Sequence, residues 1–295
     1  MRRRKGIILA GGSGGRLYPL TIGVSKQLLP VYDKPMIFYP LSVLMLAGIQ
    51  EILIITTPED QALFRRVLDD GSQWGLQLSY KAQPNPDGLA QAFILAEDFL
   101  GGSPSALILG DNIFFGNGFS QLLAKANRRS SGATIFGYHV SDPERYGIAG
   151  FAADGSINSI IEKPLKPASS FAVTGLYFVD ETAPERARNV KPSARGELEI
   201  TCILKSYLDE CELGFEKMGR GFAWLDTGTH DTLLDAGNFV RTLTERQGLQ
   251  TGSPDEVAYQ LKWINETQLR ARAQKFGKNK IGEYLLSAIK PKGNN

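Results

Sequence analysis

The amino-acid sequence predicts an α/β protein in which helices cover both faces of a mixed, mostly parallel sheet. Three short runs of apolar and β-branched residues are typical of strands buried on both faces: Gly6–Ala10, Glu51–Thr57 and Ser105–Gly110. Helical segments separate these runs, and the strand–helix–strand order is typical of βαβ units. We therefore expect one large α/β domain with a helical layer on each side of its central sheet.

Turn residues predict where two of the helices lie. Lys34-Pro35 opens an apolar helix that runs to about Ala47, and Gly48 is placed to end it in the left-handed conformation. The segment Leu89–Leu100 is a further predicted helix. Both helices lie between predicted strands, as the βαβ order requires.

Capping residues predict two other helix starts. Thr57 is the expected N-cap of one helix, in which Pro58 occupies the first helical position and Asp60 completes a pattern like a capping box. Near the other end of the chain, Ser253–Glu256 (sequence SPDE) is a capping box that opens another helix.

The pattern changes beyond about residue 132. Three β-rich segments separated by turn residues predict antiparallel additions to the same sheet: ATIFGYHV, SINSIIEK and FAVTGLYFV. From Asp231 onward the sequence is mainly helical again. We expect residues 1–240 to form the α/β domain and residues 241–295 to form a helical appendage that packs on it.

Composition excludes several classes of protein. Of 295 residues, 42% are hydrophobic and 22% charged, which argues against disorder, and a net charge of +2 argues against a nucleic-acid surface. No apolar run is long enough to cross a bilayer, and the apolar residues after the basic run Arg2–Lys5 are too few for a signal peptide. Cys202 and Cys211 have neither metal-site nor disulfide spacing. We expect a reduced, cytoplasmic protein without a membrane or nucleic-acid partner.

A glycine-rich loop directly follows the first predicted strand. Four glycines lie within residues 11–15, and Arg16 and Lys26 follow them. Glycine lets backbone N–H groups approach a polyphosphate, and two cations can neutralise it. The alternative is a tight turn beside a surface arginine and lysine. The loop is not a P-loop, because Arg16 stands where Lys is required, and Leu17 breaks the dinucleotide-binding pattern.

The segment KGIILAGGSGGRLYPLTIGVSKQLLPVYDKPMI resembles the signature of the sugar-1-phosphate nucleotidyltransferases, and most of all their thymidylyltransferase branch. The resemblance continues in order through QPNPDGLAQAF, LILGDNIFFG, DPERYGIAGF, EKPLKP, VTGLYFVD, PSARGELEIT and GRGFAWLDTGTHDTLLDA. It implies a Rossmann-like three-layer α/β/α nucleotidyltransferase fold, with nucleotide-binding and sugar-binding halves on one sheet.

The resemblance also implies a reaction. A sugar-1-phosphate oxygen attacks the α-phosphorus of a nucleoside triphosphate in line, and pyrophosphate leaves. The implied substrates are dTTP and glucose 1-phosphate, the product is dTDP-glucose, and the step is the first in making dTDP-L-rhamnose and related deoxysugars. Because both reactants are anions, such an enzyme needs cations and positioning more than a general base.

Residues that match the family's motifs are the expected site residues. The implied catalytic residues are Arg16, Lys26, Asp111 and Asp226, with Asp111 and Asp226 as ligands of Mg²⁺. The implied nucleotide-binding residues are Leu9, Ala10, Gly11, Gly12, Gln27, Gln83, Pro86 and Gly88. The implied sugar-phosphate residues are Asp111, Tyr146, Gly147, Glu162, Lys163, Val173, Thr174 and Arg195, and Glu197 is a further candidate that also suits an exposed helix start.

The chain departs from the family pattern at three places. Gly15 replaces the usual threonine of the loop, which adds backbone freedom. Cys202 follows GELEIT where the family has aspartate. Gln260 stands where an arginine often serves a separate site for the end product dTDP-rhamnose, and Phe115 and Asn117 lie in the matching region of its other wall. We expect weakened feedback inhibition, and the resemblance further implies a homotetramer.

Two alternatives stay open. The first is the same chemistry with UTP, another nucleotide or another hexose 1-phosphate, although the sequence SKQLLP differs from the PKEMLP that is usual in UTP-using bacterial relatives. The second is a nucleotide-sugar sensor without turnover. A sensor is expected to have lost Lys26 or an aspartate of the catalytic set, and this chain keeps them.

Overall fold

Thirteen strands and ten α-helices are formed by residues 2–12 and 14–289, the part of the chain that the computed structural model describes. The strands are β1 (Lys5–Ala10), β2 (Pro30–Val31), β3 (Lys34–Pro35), β4 (Glu51–Thr56), β5 (Gln77–Ala82), β6 (Ser105–Leu109), β7 (Asn112–Gly116), β8 (Ala133–His139), β9 (Gly147–Phe151), β10 (Ile157–Glu162), β11 (Phe171–Val179), β12 (Leu213–Met218) and β13 (Phe222–Asp226). The helices are α1 (Phe38–Leu46), α2 (Gln61–Leu68), α3 (Gln91–Leu100), α4 (Phe119–Arg128), α5 (Ala183–Arg188), α6 (Ile200–Asp209), α7 (His230–Gln247), α8 (Pro254–Gln260), α9 (Glu266–Phe276) and α10 (Lys280–Ile289).

The central sheet is mixed and mostly parallel. Strands β6, β1, β4 and β5 are parallel neighbours, and β11 joins the β6 edge in the antiparallel direction. Strand β8 pairs with the other edge of β11, and β12 lies parallel to β8. The predicted mixed, mostly parallel sheet is therefore confirmed.

The parallel strands are buried on both faces, which explains their continuous apolar sequence. Along β1, Ile7 and Leu9 face one helical layer, and Ile8 and Ala10 face the other. Helices α3, α5 and α6 contribute to the first layer, whereas α1, α2, α4, α8 and α9 contribute to the second. The three-layer arrangement follows from this alternation.

Strand β11 extends the sheet beyond the carboxyl end of β6. Its second half pairs with β6 from Leu176 to Val179, and its first half continues past the last residue of β6. There Ala172 pairs with Ile148 of β9, and β10 completes an antiparallel arm with β9. This arm forms one wall of the space above the parallel strands.

Three predicted helix starts are wrong, those of α1, α2 and α3. The apolar helix α1 begins at Phe38, because Lys34 and Pro35 form β3 and the backbone N–H groups of Met36 and Ile37 donate to earlier carbonyls. Its predicted end is right, since Gly48 has φ of 80°.

Helix α2 begins at Gln61 and not directly after Thr57, although the N–H of Asp60 donates to Thr57 Oγ1 as expected and that hydroxyl donates to Asp60 Oδ2. Helix α3 begins at Gln91, two residues after the predicted start, because the N–H of Ala90 donates to the carbonyl of Leu198. The Ser253 cap is confirmed, with its Oγ accepting from the N–H of Glu256 at the start of α8.

The C-terminal helices join the second helical layer. Val257, Ala258 and Ile264 are buried in the core cluster that contains α1, as is Leu285 of α10. Helix α7 runs through the predicted domain boundary at residues 240–241 and covers a small core of its own around Val240 and Met36. The helices found within residues 2–12 and 14–289 are all too short or too polar to span a bilayer.

We expect Tyr207→Phe to destabilise the fold. The fully buried Tyr207 hydroxyl donates to Asp180 Oδ1 at 2.7 Å and so ties α6 to the end of β11. Loss of a donor to a charged acceptor should lower the free energy of unfolding by about 2 kcal/mol, measured by urea denaturation. Tyr18→Phe, at a residue that is 65% exposed, should change it by less than about 0.5 kcal/mol. An equal loss of free energy of unfolding in both variants would contradict a stabilising role for the Tyr207–Asp180 hydrogen bond.

Candidate active site

Two adjoining cavities lie at the carboxyl ends of β1 and β6, where open α/β sheets bind ligands. The glycine-loop cavity, of about 340 Å³, is lined by Leu9, Gly11, Gly12, Arg16, Lys26, Gln27, Gln83, Pro86, Gly88, Leu89, Leu109, Asp111, Glu162, Lys163, Arg195, Glu197 and Glu199. The tryptophan cavity, of about 160 Å³, is lined by Arg16, Leu89, Leu109, Asp111, Asn112, Arg145, Tyr146, Gly147, Glu162, Val173, Gly175, Tyr177, Ile200, Thr201, Trp224 and Asp226. Arg16, Asp111 and Glu162 are among the residues that line both.

The glycine loop allows the backbone to approach neighbouring side chains closely. A Cβ at Gly11 would collide with Oε1 of Gln83, and a Cβ at Gly12 would lie 3.8 Å from Cε of Lys26. Gly88 has φ of 115°, and a Cβ there would lie 2.5 Å from backbone atoms of Leu198. Gly88 therefore requires glycine, because its backbone conformation and the nearby Leu198 backbone leave no room for a side chain, and Gly11 lets the loop lie against Gln83.

Asp111 directly follows β6 and Gly110, and it is buried and held by two donors. Lys26 Nζ forms a salt bridge with its Oδ2 at 2.5 Å, and Asn112 Nδ2 donates to its Oδ1 at 3.0 Å. Burial alone would raise the pKa of Asp111, but the charge of Lys26 and the two hydrogen bonds outweigh it and keep that pKa below the ordinary value. The carboxylate is therefore charged at neutral pH.

Asp226 is brought beside Asp111 by the pairing of β13 with β7, in which Asp226 lies opposite Asn112. Burial raises the pKa of Asp226, and the negative charge of Asp111 raises it further. Arg16 also lies near Asp226: a Cβ at Gly228 would lie 2.7 Å from Asp226 Oδ1 and 2.8 Å from Arg16 Nη2. Gly228 is thus needed for this approach.

The two aspartates fit a hard divalent cation. The β13–β7 pairing places Asp226 beside Asp111, and a cation held between the buried Asp111 carboxylate and the partly buried Asp226 carboxylate would relieve their repulsion. Within residues 2–12 and 14–289, no group of three or more His, Cys, Asp or Glu side chains is placed to hold a metal. A cation here would therefore draw its other ligands from water and from phosphate oxygens, as Mg²⁺ commonly does.

A second group of charges lies where the arm meets α6. Arg195 Nη2 is 2.7 Å from Glu199 Oε1, 3.3 Å from Glu162 Oε1 and 3.9 Å from Glu197 Oε2. Lys163 has φ of 42°, an uncommon conformation for a residue with a side chain, and its N–H donates to the carbonyl of Tyr146. Two cations and three carboxylates thus share one wall of the glycine-loop cavity.

The structure gathers nearly all the expected site residues around the two cavities. Ala10 and Thr174 are the two that do not line them. Ala10 is fully buried in β1 and faces the second helical layer. Thr174 is also fully buried, and its Oγ1 has no hydrogen-bond partner among the described residues. The roles of the expected residues stay predictions.

Sequence reasoning missed several lining residues, namely Leu89, Leu109, Asn112, Arg145, Gly175, Tyr177, Glu199, Ile200, Thr201 and Trp224. Trp224 could have been predicted from the sequence, since it lies two residues before Asp226 and strand residues two apart share a face. Its Nε1–H donates to Asn112 Oδ1 at 2.6 Å, and its ring packs on Tyr146 with centroids 5.2 Å apart. Asn112 had no comparable pattern: it adjoins Asp111, but the donors to its Oδ1, Gly175 and Trp224, come from distant segments.

Comparison with known proteins decides the family. The Nucleotidyl transferase family matches residues 5–242. The chain belongs to that family. Similar proteins include the glucose-1-phosphate thymidylyltransferase of Xanthomonas campestris pv. campestris, 59% identical over 290 residues with 98% of each chain covered. The enzyme of the same name from Neisseria meningitidis is 55% identical, with 97% of this chain and 99% of the relative covered.

Solved structures agree with the family fold. A Bacillus anthracis protein assigned as a glucose-1-phosphate thymidylyltransferase has a TM-score of 0.74 and 41% identity, covering 81% of this chain and 95% of its own. A UDP-glucose pyrophosphorylase structure, at a TM-score of 0.72 but 21% identity, supports the fold alone. The expected nucleotidyltransferase fold and the resemblance to the thymidylyltransferase branch are both confirmed.

We expect the neighbouring carboxylate of Glu199 to raise the pKa of Glu162 in this nucleotidyl transferase. Burial raises the pKa of Glu162, and the charge of Glu199 raises it further. Glu199→Gln removes that charge while keeping an oxygen acceptor for Arg195, so the pKa of Glu162 should fall, measured by carbon-detected NMR titration of the side-chain carboxyls. Glu210→Gln, at the far end of α6, should leave it unchanged. If the pKa of Glu162 stays the same or rises in Glu199→Gln, the two carboxylates do not interact as the structure indicates.

Proposed function

We propose that this nucleotidyl transferase transfers a thymidylyl group from dTTP to α-D-glucose 1-phosphate and so forms dTDP-glucose and pyrophosphate. The observation that supports the chemistry is that the two cavities adjoin at Asp111, with Asp226 lining the tryptophan cavity and cationic side chains lining both cavities. The choice of dTTP and glucose 1-phosphate is supported by relatives of that name that are 53–59% identical over 97–98% of this chain.

The glycine-loop cavity suits a nucleoside triphosphate. Gly11 and Gly12 leave backbone N–H groups uncovered by side chains, and Arg16 and Lys26 supply positive charge for phosphate oxygens. Gln83 lies against Gly11 and can offer both an amide donor and an acceptor to the edge of a pyrimidine. Pro86 and Gly88 complete this side of the cavity. The base therefore lies away from the aspartates and the phosphates lie toward them.

The tryptophan cavity suits the hexose, and the charges beside it suit its phosphate. Glu162 can accept hydrogen bonds from sugar hydroxyls. The sugar ring would be enclosed by Gly147, Val173 and the aromatic ring of Tyr146. Lys163 and Arg195 line the glycine-loop cavity and can hold the phosphate near the α-phosphorus. A phosphate monoester is an adequate nucleophile near neutral pH, so the step needs alignment and charge neutralisation more than proton removal.

Asp111 and Asp226 would hold Mg²⁺ in this enzyme. When bound, the cation would neutralise charge that develops on the phosphate oxygens. Lys26 also contributes to the charge at this site. Its salt bridge to Asp111 holds the segment after the glycine loop against the end of β6. The same side chain lines the cavity that the triphosphate would fill. Arg16 lines both cavities, so its guanidinium can neutralise negative charge on the triphosphate and on the sugar phosphate.

The wider setting follows the same proposal. The product dTDP-glucose is the starting compound for dTDP-L-rhamnose and other deoxysugars, such as those of lipopolysaccharide O-antigen. We place the enzyme in the cytoplasm, where dTTP is made, and propose that it works as a homotetramer. A sensor without turnover is disfavoured, because the residues that turnover needs are gathered at one site.

The proposed reaction is tested by pyrophosphate release from purified protein with glucose 1-phosphate and Mg²⁺. Asp111→Asn and Asp226→Asn should each lower kcat at least about 100-fold with dTTP, because each removes a negative charge from the reacting centre. EDTA should abolish release. Asp154→Asn, at an exposed turn aspartate bonded to Ser156, should keep wild-type rates.

Substrate comparison separates the alternatives. Release with dTTP well above release with UTP supports the thymidylyl assignment. Preferred release with UTP would keep the family and overturn the base. Absence of release with every nucleotide and hexose 1-phosphate tried would favour the sensor and would direct attention to Gly15 and Cys202.

We expect dTDP-rhamnose to inhibit this enzyme weakly. Gln260 lines a cavity of about 890 Å³ between the C-terminal helices, and its Nε2 donates to Glu256 at 2.8 Å. A neutral amide binds a diphosphate less well than an arginine does. Gln260→Arg should therefore strengthen inhibition several-fold, read from inhibition curves, while Gln247→Arg on exposed α7 should not. Strong inhibition of the wild type would contradict the expectation.

A further inference from the structure

Glu199 has an unusual place at the start of α6. It is the N-cap residue, with φ of −74° and ψ of 135°, yet its side chain makes no capping hydrogen bond. Glutamate is not a favoured N-cap, and a carboxylate at this position would ordinarily accept from the first turn of the helix. The side chain is only 10% exposed. Something other than helix capping therefore accounts for a buried carboxylate here.

The side chain of Glu199 is engaged by the loop that precedes the helix. Its Oε1 accepts from Arg195 Nη2 at 2.7 Å, from Arg195 Nε at 3.2 Å and from Ser193 Oγ at 2.7 Å. Ser193 Oγ in turn accepts from the backbone N–H of Arg195 at 3.2 Å. One oxygen thus fixes both the guanidinium group and the backbone of the residue that carries it.

This contact leaves part of the guanidinium free. Arg195 uses Nε and Nη2 toward Glu199 and Nη2 toward Glu162, whereas its Nη1 makes no hydrogen bond with a described residue. Two donors held on one carboxylate oxygen set the plane of the group, because the guanidinium is rigid. The Nη1 donors then have a defined direction while Arg195 lines the glycine-loop cavity.

Electrostatics by itself would favour the absence of Glu199. A carboxylate beside an arginine that receives a phosphate dianion repels the dianion and partly neutralises the arginine. Glu197 differs from Glu199, since it is 3.9 Å from Nη2, has no hydrogen bond to Arg195 and is 47% exposed. A buried carboxylate with three hydrogen bonds at this place is therefore explained by orientation and not by charge.

We propose that Glu199 is the positioning residue for Arg195, and that it directs the free Nη1 edge of Arg195 toward the phosphate of the hexose 1-phosphate. The inference rests on the proposed function and adds a residue to it. Glu199 acts through Arg195 and not on the sugar directly. Prior orientation lowers the entropic cost of fixing a long side chain when the phosphate binds.

Steady-state kinetics of single variants is the first part of the test. Glu199→Ala should raise KM for glucose 1-phosphate about tenfold, the equivalent of one well-placed hydrogen bond to a charged group, with KM for dTTP within about twofold of wild type. Glu199→Gln keeps the Oε1 acceptor and should recover most of the loss. A merely structural role would instead change both KM values, or would give no recovery by glutamine.

A double-mutant cycle with Arg195→Ala decides whether Glu199 acts through Arg195. If it does, Glu199→Ala should cost nothing further in the Arg195→Ala background. If the two effects multiply, Glu199 acts independently of Arg195 and the proposal is overturned. Glu210→Gln, which removes a carboxylate paired with Arg186 at the other end of α6, controls for charge loss and should keep the wild-type KM values.

Calorimetric binding separates this proposal from the proposed function. If the wild type forms no dTDP-glucose, the proposed function fails first, and titration of the same variants with glucose 1-phosphate then tests Glu199. Weaker binding in Glu199→Ala, absent from the Arg195→Ala background, still supports positioning. Unchanged binding in a Glu199→Ala protein that melts at the wild-type temperature overturns it.

Discussion

The buried salt bridge between Lys26 and Asp111 is the contact on which the rest of the site depends. It joins the segment after the glycine loop to the carboxyl end of β6, and both side chains are largely withdrawn from water. Removing one partner of such a pair leaves an uncompensated buried charge, which typically costs about 3–5 kcal/mol. Asn112 extends the contact, because its Nδ2 bonds Asp111 while its Oδ1 accepts from the N–H groups of Gly175 and Trp224. The loop segment and β6 thus meet at the Asp111 carboxylate, and the amide of Asn112 connects β11 and β13 to it.

Strand direction explains why the site has two compartments. The parallel strands β1 and β6 end together and support the glycine loop, whereas β11 runs in the opposite direction and starts beyond the end of β6. Its first residues therefore stand above the sheet edge beside β9. The short pairing of β13 with β7 then closes the space with Asp226 and Trp224. In the proposed reaction the same edge consequently serves the two ligands that react with each other.

The sequence predicted the parts that depend on local pattern. Strands buried on both faces are continuously apolar, and Gly48 and Ser253 mark their helix termini through local backbone and side-chain needs. It failed where distant contacts prevail: α1 starts late because earlier carbonyls engage Met36 and Ile37. The site residues recognised by motif mostly meet in space. Asn112 and Glu199 were missed although partners of each lie close in sequence, because side-chain hydrogen bonds of this kind leave no periodic pattern in the sequence.

The proposed reaction has to bring two anionic substrates together in a lining that already carries as many negative as positive side chains. Five cationic side chains (Arg16, Lys26, Arg145, Lys163 and Arg195) and five anionic ones (Asp111, Glu162, Glu197, Glu199 and Asp226) are found among the described residues that line the two cavities. The lining is therefore neutral in sum, although it has to receive a triphosphate and a sugar phosphate together. Burial and like charges raise the pKa of both Asp226 and Glu162, so negative charge is already unfavourable there. In the proposed reaction two more anions enter this site, and a divalent cation that enters with the nucleotide would offset part of their charge.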